Sequence, residues 1–318
     1  MIKAMEVVVA VGKFRNKFAH LITSLIPFRR PRTFVYRFIC NPDWAGRWYR
    51  FVQGRKMWVD EQQRRRKGVK YPYKLSVVAI MKNEGPYLCE WIEYHKLVGV
   101  EKFYLYNNGS TDDTVEILKP YVKSGLVELI DFPGEKMQLP AYNDCVARHK
   151  MDTQWLALID LDEFIVPDSG GYKITDILDN LSKNISQIWI RWIFYGSNGH
   201  VSKPDGLVTE SYTKRAKKQT WHYKSIVNPR LVFSTGCHEQ VVAKRTKQMP
   251  IKVIRINHYF CKSWEEFSKR AGRGDAFNGT QFGIKRYTKQ FFDSRDKNDV
   301  EDRIMDKYLP QLRKKLRK

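Results

Sequence analysis

Two periods of apolar residues alternate through the middle of this chain. Leu75–Met81, Lys102–Tyr106, Val127–Asp131 and Trp155–Ile159 are short, apolar-rich runs. Such runs predict strands covered on both faces of a sheet. Between them, Tyr87–Leu97, the segment through Val115, Ile117 and Leu118, and Ala141–His149 carry apolar residues at helical spacing. Strands alternating with helices predict an α/β fold with a mainly parallel sheet. In such sheets ligands bind beyond the carboxyl ends of the strands. The polar loops Lys82–Glu84, Asn107–Asp113 and Asp160–Glu163 all follow strands, so the pattern predicts that they converge on one edge.

The third loop carries the densest charge. Asp160, Asp162 and Glu163 fall within four residues at the end of a buried strand, where unpaired carboxylates are costly. Residues i and i+2 share a face of a strand. Asp160 and Asp162 are therefore expected to project together, and oxygen ligands suit Mg²⁺ or Mn²⁺. Taken alone, an Asp-x-Asp reads more readily as a strand end followed by an acidic turn. In the second loop Gly109 permits close backbone approach. Ser110 or Thr111 can cap the following helix, whose free N–H groups favour an anion.

The flanks change the picture. With 57 Lys and Arg against 34 Asp and Glu, the 318-residue chain has a net charge of +23. Residues 1–74 hold 18 basic and 4 acidic residues, 75–200 hold 11 and 18, and 201–318 hold 28 and 12. An acidic centre between basic flanks attracts phosphorylated substrates, anionic membranes or nucleic acid. Five scattered cysteines without a Cys-x-x-Cys pair exclude a zinc knuckle or disulfide framework and point to a reducing compartment. Val7–Val11 falls short of the roughly 20 apolar residues that span a bilayer, and Glu6 argues against a signal peptide. Phe14, Phe18, Leu21, Ile22, Leu25 and Ile26 recur at helical spacing beside Lys13, Arg15 and Lys17 and before Arg29, Arg30 and Arg32. That is an amphipathic helix suited to a membrane interface or to the protein's own body. Residues 33–74 mix aromatic and basic side chains and are expected to form a connecting arm.

Met81-Lys82-Asn83-Glu84, Trp91-Ile92-Glu93-Tyr94-His95, Tyr106 to Thr114, Ala141 to Cys145 and Trp155 to Pro167 together resemble a GT-A glycosyltransferase of the family 92 or family 2 type. Lys224 to Val227, His238 and His258 to Phe267 extend the resemblance, which covers about residues 75 to 275. It implies a GT-A, Rossmann-like mixed and mainly parallel sheet flanked by helices, with basic helical extensions at both ends (residues 1–74 and 276–318). It also implies a metal-dependent, inverting transfer from a nucleotide-sugar, usually a UDP-sugar. Lys82, Asn83, Glu84, Asn107 and Gly109 would then lie beside the nucleoside. Asp160 would approach ribose or metal, Asp162 would bind Mn²⁺ or Mg²⁺, and His258 would complete the shell. One departure stands out: Asn107 sits where relatives often have Asp.

Breaking a sugar–phosphate bond develops negative charge on the diphosphate, which a cation and basic side chains must meet. Lys224, Arg230 and Lys262 are the candidates for that role. Glu239, His238 and Asp275 are candidates for the base that takes the acceptor proton, with Glu239 preferred. Gly272-Arg273-Gly274 is expected to form a phosphate- or acceptor-side loop. The expected acceptor is a saccharide or lipid-linked precursor of surface polysaccharide, and the expected location is cytoplasmic, peripheral at the inner face of an anionic membrane. Two other classes remain open at this point: a nucleic-acid-binding protein using the aromatic, basic arm, and an aspartate-dependent phosphatase. The phosphatase normally wants its Asp-x-Asp after the first strand, and here at least three strands precede it.

Overall fold

A computed structural model describes residues 17–27, 35, 44–168, 173–272 and 274–316. The chain divides into two compact units, Met1–Asp60 and Glu61–Lys318. In the first unit residues 17–24 are helical. Ala19 and Thr23 are buried, whereas Phe18, Leu21, Ile22 and Leu25 are exposed, so the apolar stripe of this helix is the face left uncovered. Val7–Val11, Phe14, Arg29, Arg30 and Arg32 lie outside the described residues. The stretch expected to be a connecting arm contains a 23-residue helix, Trp44–Arg66. Charged residues dominate that helix, so its apolar periodicity is weak and escapes a reading based on period.

The second unit begins at Glu61 and continues to the end of the chain, so the basic tail is part of the same body. Its strands are β1 (Tyr73–Met81), β2 (Lys102–Asn107), β3 (Val127–Asp131), β4 (Thr153–Leu158), β5 (Glu163–Pro167), β6 (Ile185–Phe194), β7 (Lys214–Arg215), β8 (Tyr223–Val227), β9 (Val232–Ser234), β10 (Val241–Val242), β11 (Arg245–Gln248), β12 (Ile254–His258) and β13 (Val300–Glu301). The main sheet runs β3-β2-β1-β4-β8-β6-β12-β5, with β11 also paired to β6. β1, β2, β3 and β4 are mutually parallel. β8 runs antiparallel to both β4 and β6, and β5 runs antiparallel to β12. The sheet is therefore mixed and mostly parallel, with the helices Gly85–Leu97, Thr114–Lys123 and Gln138–His149 on its flanks, in agreement with the expected fold.

The strands are apolar because both faces are covered. Leu75, Val77 and Ala79 of β1 enter one core with Trp91 and Phe103, while Val78 and Ile80 enter another with Tyr104, Tyr142 and Leu158. Alternate residues of one strand thus feed opposite layers. Only the strand ends and the loops beyond them are left for chemistry. No helix among the described residues is long and apolar enough to cross a membrane.

Candidate active site

The chain leaves the sheet at Leu158 and re-enters it at the end of the strand order, as β5 beside β12 with β8, β6 and β12 between it and β4. The turn between, Ile159–Asp162, therefore spans a crevice. Register decides what meets it. Ser225 lies opposite Leu158, so Lys224, the next residue out on β8, falls beside Asp160. Its Nζ donates to Asp160 Oδ2 at 2.8 Å and stands 4.0 Å from Glu163 Oε1. On the other side His258 lies opposite Glu163, which brings its imidazole beside Asp162.

Asp160 Oδ1 accepts from Gln138 Nε2 at 2.9 Å and from Tyr142 Oη at 3.2 Å. With Lys224 on its other oxygen, this carboxylate is held from three directions. Burial would lower the Lys224 pKa, but Asp160 and Glu163 hold its ammonium well above the ordinary lysine value. Burial pushes the Glu163 carboxyl well above the usual range, against the pull of Lys224.

Asp162 sits in a different field. Its Oδ1 is 3.4 Å from His258 Nε2 and its Oδ2 is 3.1 Å from an Arg270 guanidinium nitrogen. Burial works to raise its pKa, but His258 and Arg270 outweigh that and hold the carboxyl well below the usual range. Arg270 is fixed in turn by donating to the Phe260 carbonyl at 2.9 Å. It follows the Trp264–Lys269 helix, where Ser263 and Glu266 form a capping box. Among the described residues no group of three or more His, Cys, Asp or Glu is arranged to hold a metal. Asp162 and His258 could supply two ligands of a divalent cation, which would need further oxygen ligands from outside this pair.

Of these side chains, Gln138, Asp160, Asp162, Lys224, His258 and Arg270 line one cavity of about 380 Å³. Lys82, Glu84, Asp160, Asp162, Lys224, His238, His258 and Asp275 reach it from among the expected site residues. Gly274 of the expected phosphate- or acceptor-side loop lines it as well, whereas Asn83, Asn107, Gly109, Lys262 and Glu239 do not. Asn83, with φ of 54°, accepts from the Thr111 backbone N–H at 2.7 Å and donates to Thr111 Oγ1 at 3.2 Å. Asn107 donates to Asp131 Oδ1 at 3.0 Å and accepts from the Ser110 N–H at 3.0 Å. Both side chains lock loops together, and Gly109, at φ of 70°, serves the same turn. Lys262 is buried with its ammonium 3.5 Å from the centre of the Tyr87 ring.

Arg230 is a correction. It lies away from the cavity and donates to Glu61 Oε2 at 2.7 Å and to the Thr153 carbonyl at 2.6 Å. Of the three expected bases, Glu239 is exposed and accepts from the Tyr223 hydroxyl at 3.2 Å. Asp275 accepts from Arg286 at 3.1 Å and from the backbone N–H groups of Phe277 and Asn278. His238 donates from Nδ1 to the Tyr223 carbonyl at 2.9 Å, which leaves Nε2 as an acceptor. Burial, with the Lys224 charge adding to it, lowers its pKa, so the ring is neutral near pH 7. Arg273 lies outside the described residues. Gln138, Trp192, Arg270 and Arg286 also line the cavity without having been expected there. Arg270 carried the one usable signal, a basic residue three positions after the His258–Phe267 segment.

The sequence model described as glycosyltransferase family 92 matches residues 78–314. A glycosyltransferase family 92 protein of Arabidopsis thaliana is 29% identical over 227 residues, covering 66% of this chain and 39% of that protein. The galactan β-1,4-galactosyltransferase GALS3 of Arabidopsis thaliana is 29% identical over 215 residues, covering 61% and 42%. The chain thus spans well under half the length of these relatives. Among solved structures, S. aureus TarS 1-349 in complex with UDP has a TM-score of 0.41 at 12% identity, covering 69% of this chain and 70% of that one.

Proposed function

The chain belongs to glycosyltransferase family 92, and from that premise we propose that it moves a sugar from a nucleoside-diphosphate donor, with inversion, onto a saccharide or lipid-linked acceptor. The observation that carries this reading is one cavity in which an ionised Asp162 stands beside His258 while buried cations surround the pair. UDP-galactose is the first donor to test, because relatives sharing 27–29% of aligned residues are named galactosyltransferases.

Asp162 and His258 would hold a divalent cation, and a mixed N/O donor pair favours Mn²⁺ over Mg²⁺. When bound, that cation offsets the charge of the departing diphosphate. Lys224 and Arg270 add fixed positive charge in a site where burial strengthens it. Asp160 keeps the Lys224 ammonium in place and protonated. Lys82 and Glu84 line the nucleotide side of the cavity. His238, neutral with Nε2 open, accepts the proton of the attacking hydroxyl. With only two protein ligands surrounded by Lys224, Arg270 and Lys262, Mn²⁺ alone should bind weakly and should bind strongly together with UDP. Calorimetric titration of UDP with and without Mn²⁺ tests this. Mutual enhancement of at least tenfold supports the site, and UDP binding that ignores Mn²⁺ removes the metal from it.

The exposed apolar side chains Leu21 and Leu25, together with the basic flank, support peripheral contact with an anionic membrane such as the inner face. Sedimentation with vesicles of graded anionic-lipid content tests that part separately, and equal binding to neutral vesicles would exclude it.

A further inference from the structure

A second cavity, of about 490 Å³, adjoins the first and shares Phe194, His222 and Arg295 with it. At its mouth Trp221 is 73% exposed. Large aromatic rings are normally buried, so one held out in solvent calls for an explanation. This ring is also fixed. Its indole stacks on His222 with centroids 3.8 Å apart. His222 stacks on Trp192 at 5.2 Å, and Trp192 meets His258 edge-on at 4.4 Å. The backbone around it is tied to β6, since Thr220 N–H donates to the Trp192 carbonyl at 3.0 Å and Trp192 N–H to the His222 carbonyl at 3.1 Å. A continuous row of rings thus runs from solvent to the proposed reaction centre.

The charge around this platform is mainly positive. Lys217, Lys218, Lys297 and Arg295 line the cavity, and the three lysines are exposed with no ion pair among the described residues. The single acid there, Asp299, already accepts from the Lys217 N–H at 3.0 Å. We propose that the second cavity is the acceptor subsite, with Trp221 as the stacking surface for a sugar ring and the lysines as the recognition element for acidic groups on the acceptor. The acceptor class is then a saccharide carrying carboxylate or phosphate. Aromatic faces take the C–H side of a pyranose as they take any apolar plate, and a rigid one costs little entropy to use. This proposal rests on the transferase reading above and adds the acceptor's chemistry to it.

The test uses the full chain, with the change in tryptophan fluorescence as readout. Its probes are an oligogalacturonate, a phosphorylated mannan fragment, a neutral β-1,4-galactan fragment and a single-stranded DNA oligomer. The wild type should bind at least one acidic saccharide about tenfold tighter than the neutral one, a preference lost on raising salt. Trp221→Ala should weaken saccharide binding about tenfold or more, whereas UDP affinity should change by less than about twofold. The triple substitution Lys217→Ala, Lys218→Ala, Lys297→Ala should remove the acidic preference and leave neutral binding unchanged. Preference for the galacturonate or for the phosphorylated fragment identifies which acid is read. Saccharide binding indifferent to Trp221, equal affinity for neutral and acidic probes, or tighter binding of the DNA overturns the proposal. Loss of UDP binding in the wild type would instead remove the transferase reading itself.

Discussion

The two halves of the sheet use their polar residues in opposite ways. In the parallel half, β1 to β4, the loop side chains spend their hydrogen bonds on one another: Asn83 on Thr111, and Asn107 on Asp131 and Ser110. In the mixed half, β8, β12 and the segment after it, buried charged groups point into the cavity and pair across it, as Lys224 does with Asp160 and Arg270 with Asp162. The first half is a shaped rim, and the second supplies the field. A loop motif and a charged pair therefore carry different information, even when both line one edge.

Two buried arginines give the largest test of that contrast. Arg230 is paired with Glu61, both side chains being 2% exposed, and it lies away from the cavity. Arg270 is equally buried but faces it. Breaking a buried pair by removing one partner costs about 3–5 kcal/mol. Arg230→Met should lose that much stability in urea melts while keeping UDP affinity in the surviving folded fraction. Arg270→Met should lose donor turnover as well. If Arg230→Met lost activity without losing stability, the division into frame and field would be wrong.

Next in size is the pair of aspartates. Asp162→Asn should lower transfer about 10²–10³-fold, the cost typical of removing one electrostatic group from a site, and should abolish the Mn²⁺ enhancement of UDP binding. Asp160→Asn should also lower turnover but should retain the Mn²⁺ enhancement, because that carboxylate is occupied by Lys224, Gln138 and Tyr142. Equal loss of the metal effect in both would return Asp160 to the shell. The Asp162 carboxyl also links stability to acid. Its folded pKa lies well below the usual value, so its contribution is complete above pH of about 4 and is lost as pH falls below that.

Lys262 costs stability at neutral pH where Asp162 adds it, at a comparable or smaller size. Burial, reinforced by the Arg270 charge, lowers its pKa from 10.5 to about 8. Below pH 8 the folded chain carries a buried ammonium at a cost of about 3 kcal/mol at most. Between pH 8 and 10.5 the unfolded chain holds a proton that the folded chain has released, so stability rises through that window. Lys262→Met should be more stable at pH 7 and should flatten the rise. Guanidinium melts at pH 7, 8.5 and 9.5 check it, and an unchanged slope in the variant would assign the rise to another group.

The strands β1 to β4 were legible because a buried parallel strand has no choice but an apolar run, and the crossover helices between them must show one apolar stripe. The converging loops followed from that topology. The partners of the acids were less legible. Lys224 and His258 were named from the resemblance, yet their contacts depend on the register of β8 against β4 and of β12 against β5, which no local pattern reveals. Arg230 and Arg270 are both arginines near apolar residues, and only the fold sends one to the frame and one to the cavity. Glu239 and His238 are adjacent in sequence, but they sit in an irregular loop with a bend at Cys237–His238 and meet different surroundings, and the preference for Glu239 could not anticipate which one lines the cavity. The charge-rich Trp44–Arg66 helix has little apolar periodicity to detect.

The smallest effect concerns Asn107, where the resemblance leads one to expect Asp. Asn107 is 6% exposed and donates to Asp131, which lies opposite it on β3. An aspartate at 107 would place two carboxylates about as close as that hydrogen bond, although the exposure of Asp131 screens them. Asn107→Asp should therefore cost about 1 kcal/mol at pH 7 and should recover most of it near pH 4, where one carboxyl takes a proton. Adding Asp131→Asn restores a donor and an acceptor with their sides exchanged. The double variant should then return to within about 0.5 kcal/mol of the wild type, a coupling that a double-mutant cycle reads directly. If the two losses simply add, Asn107 is not chosen by Asp131.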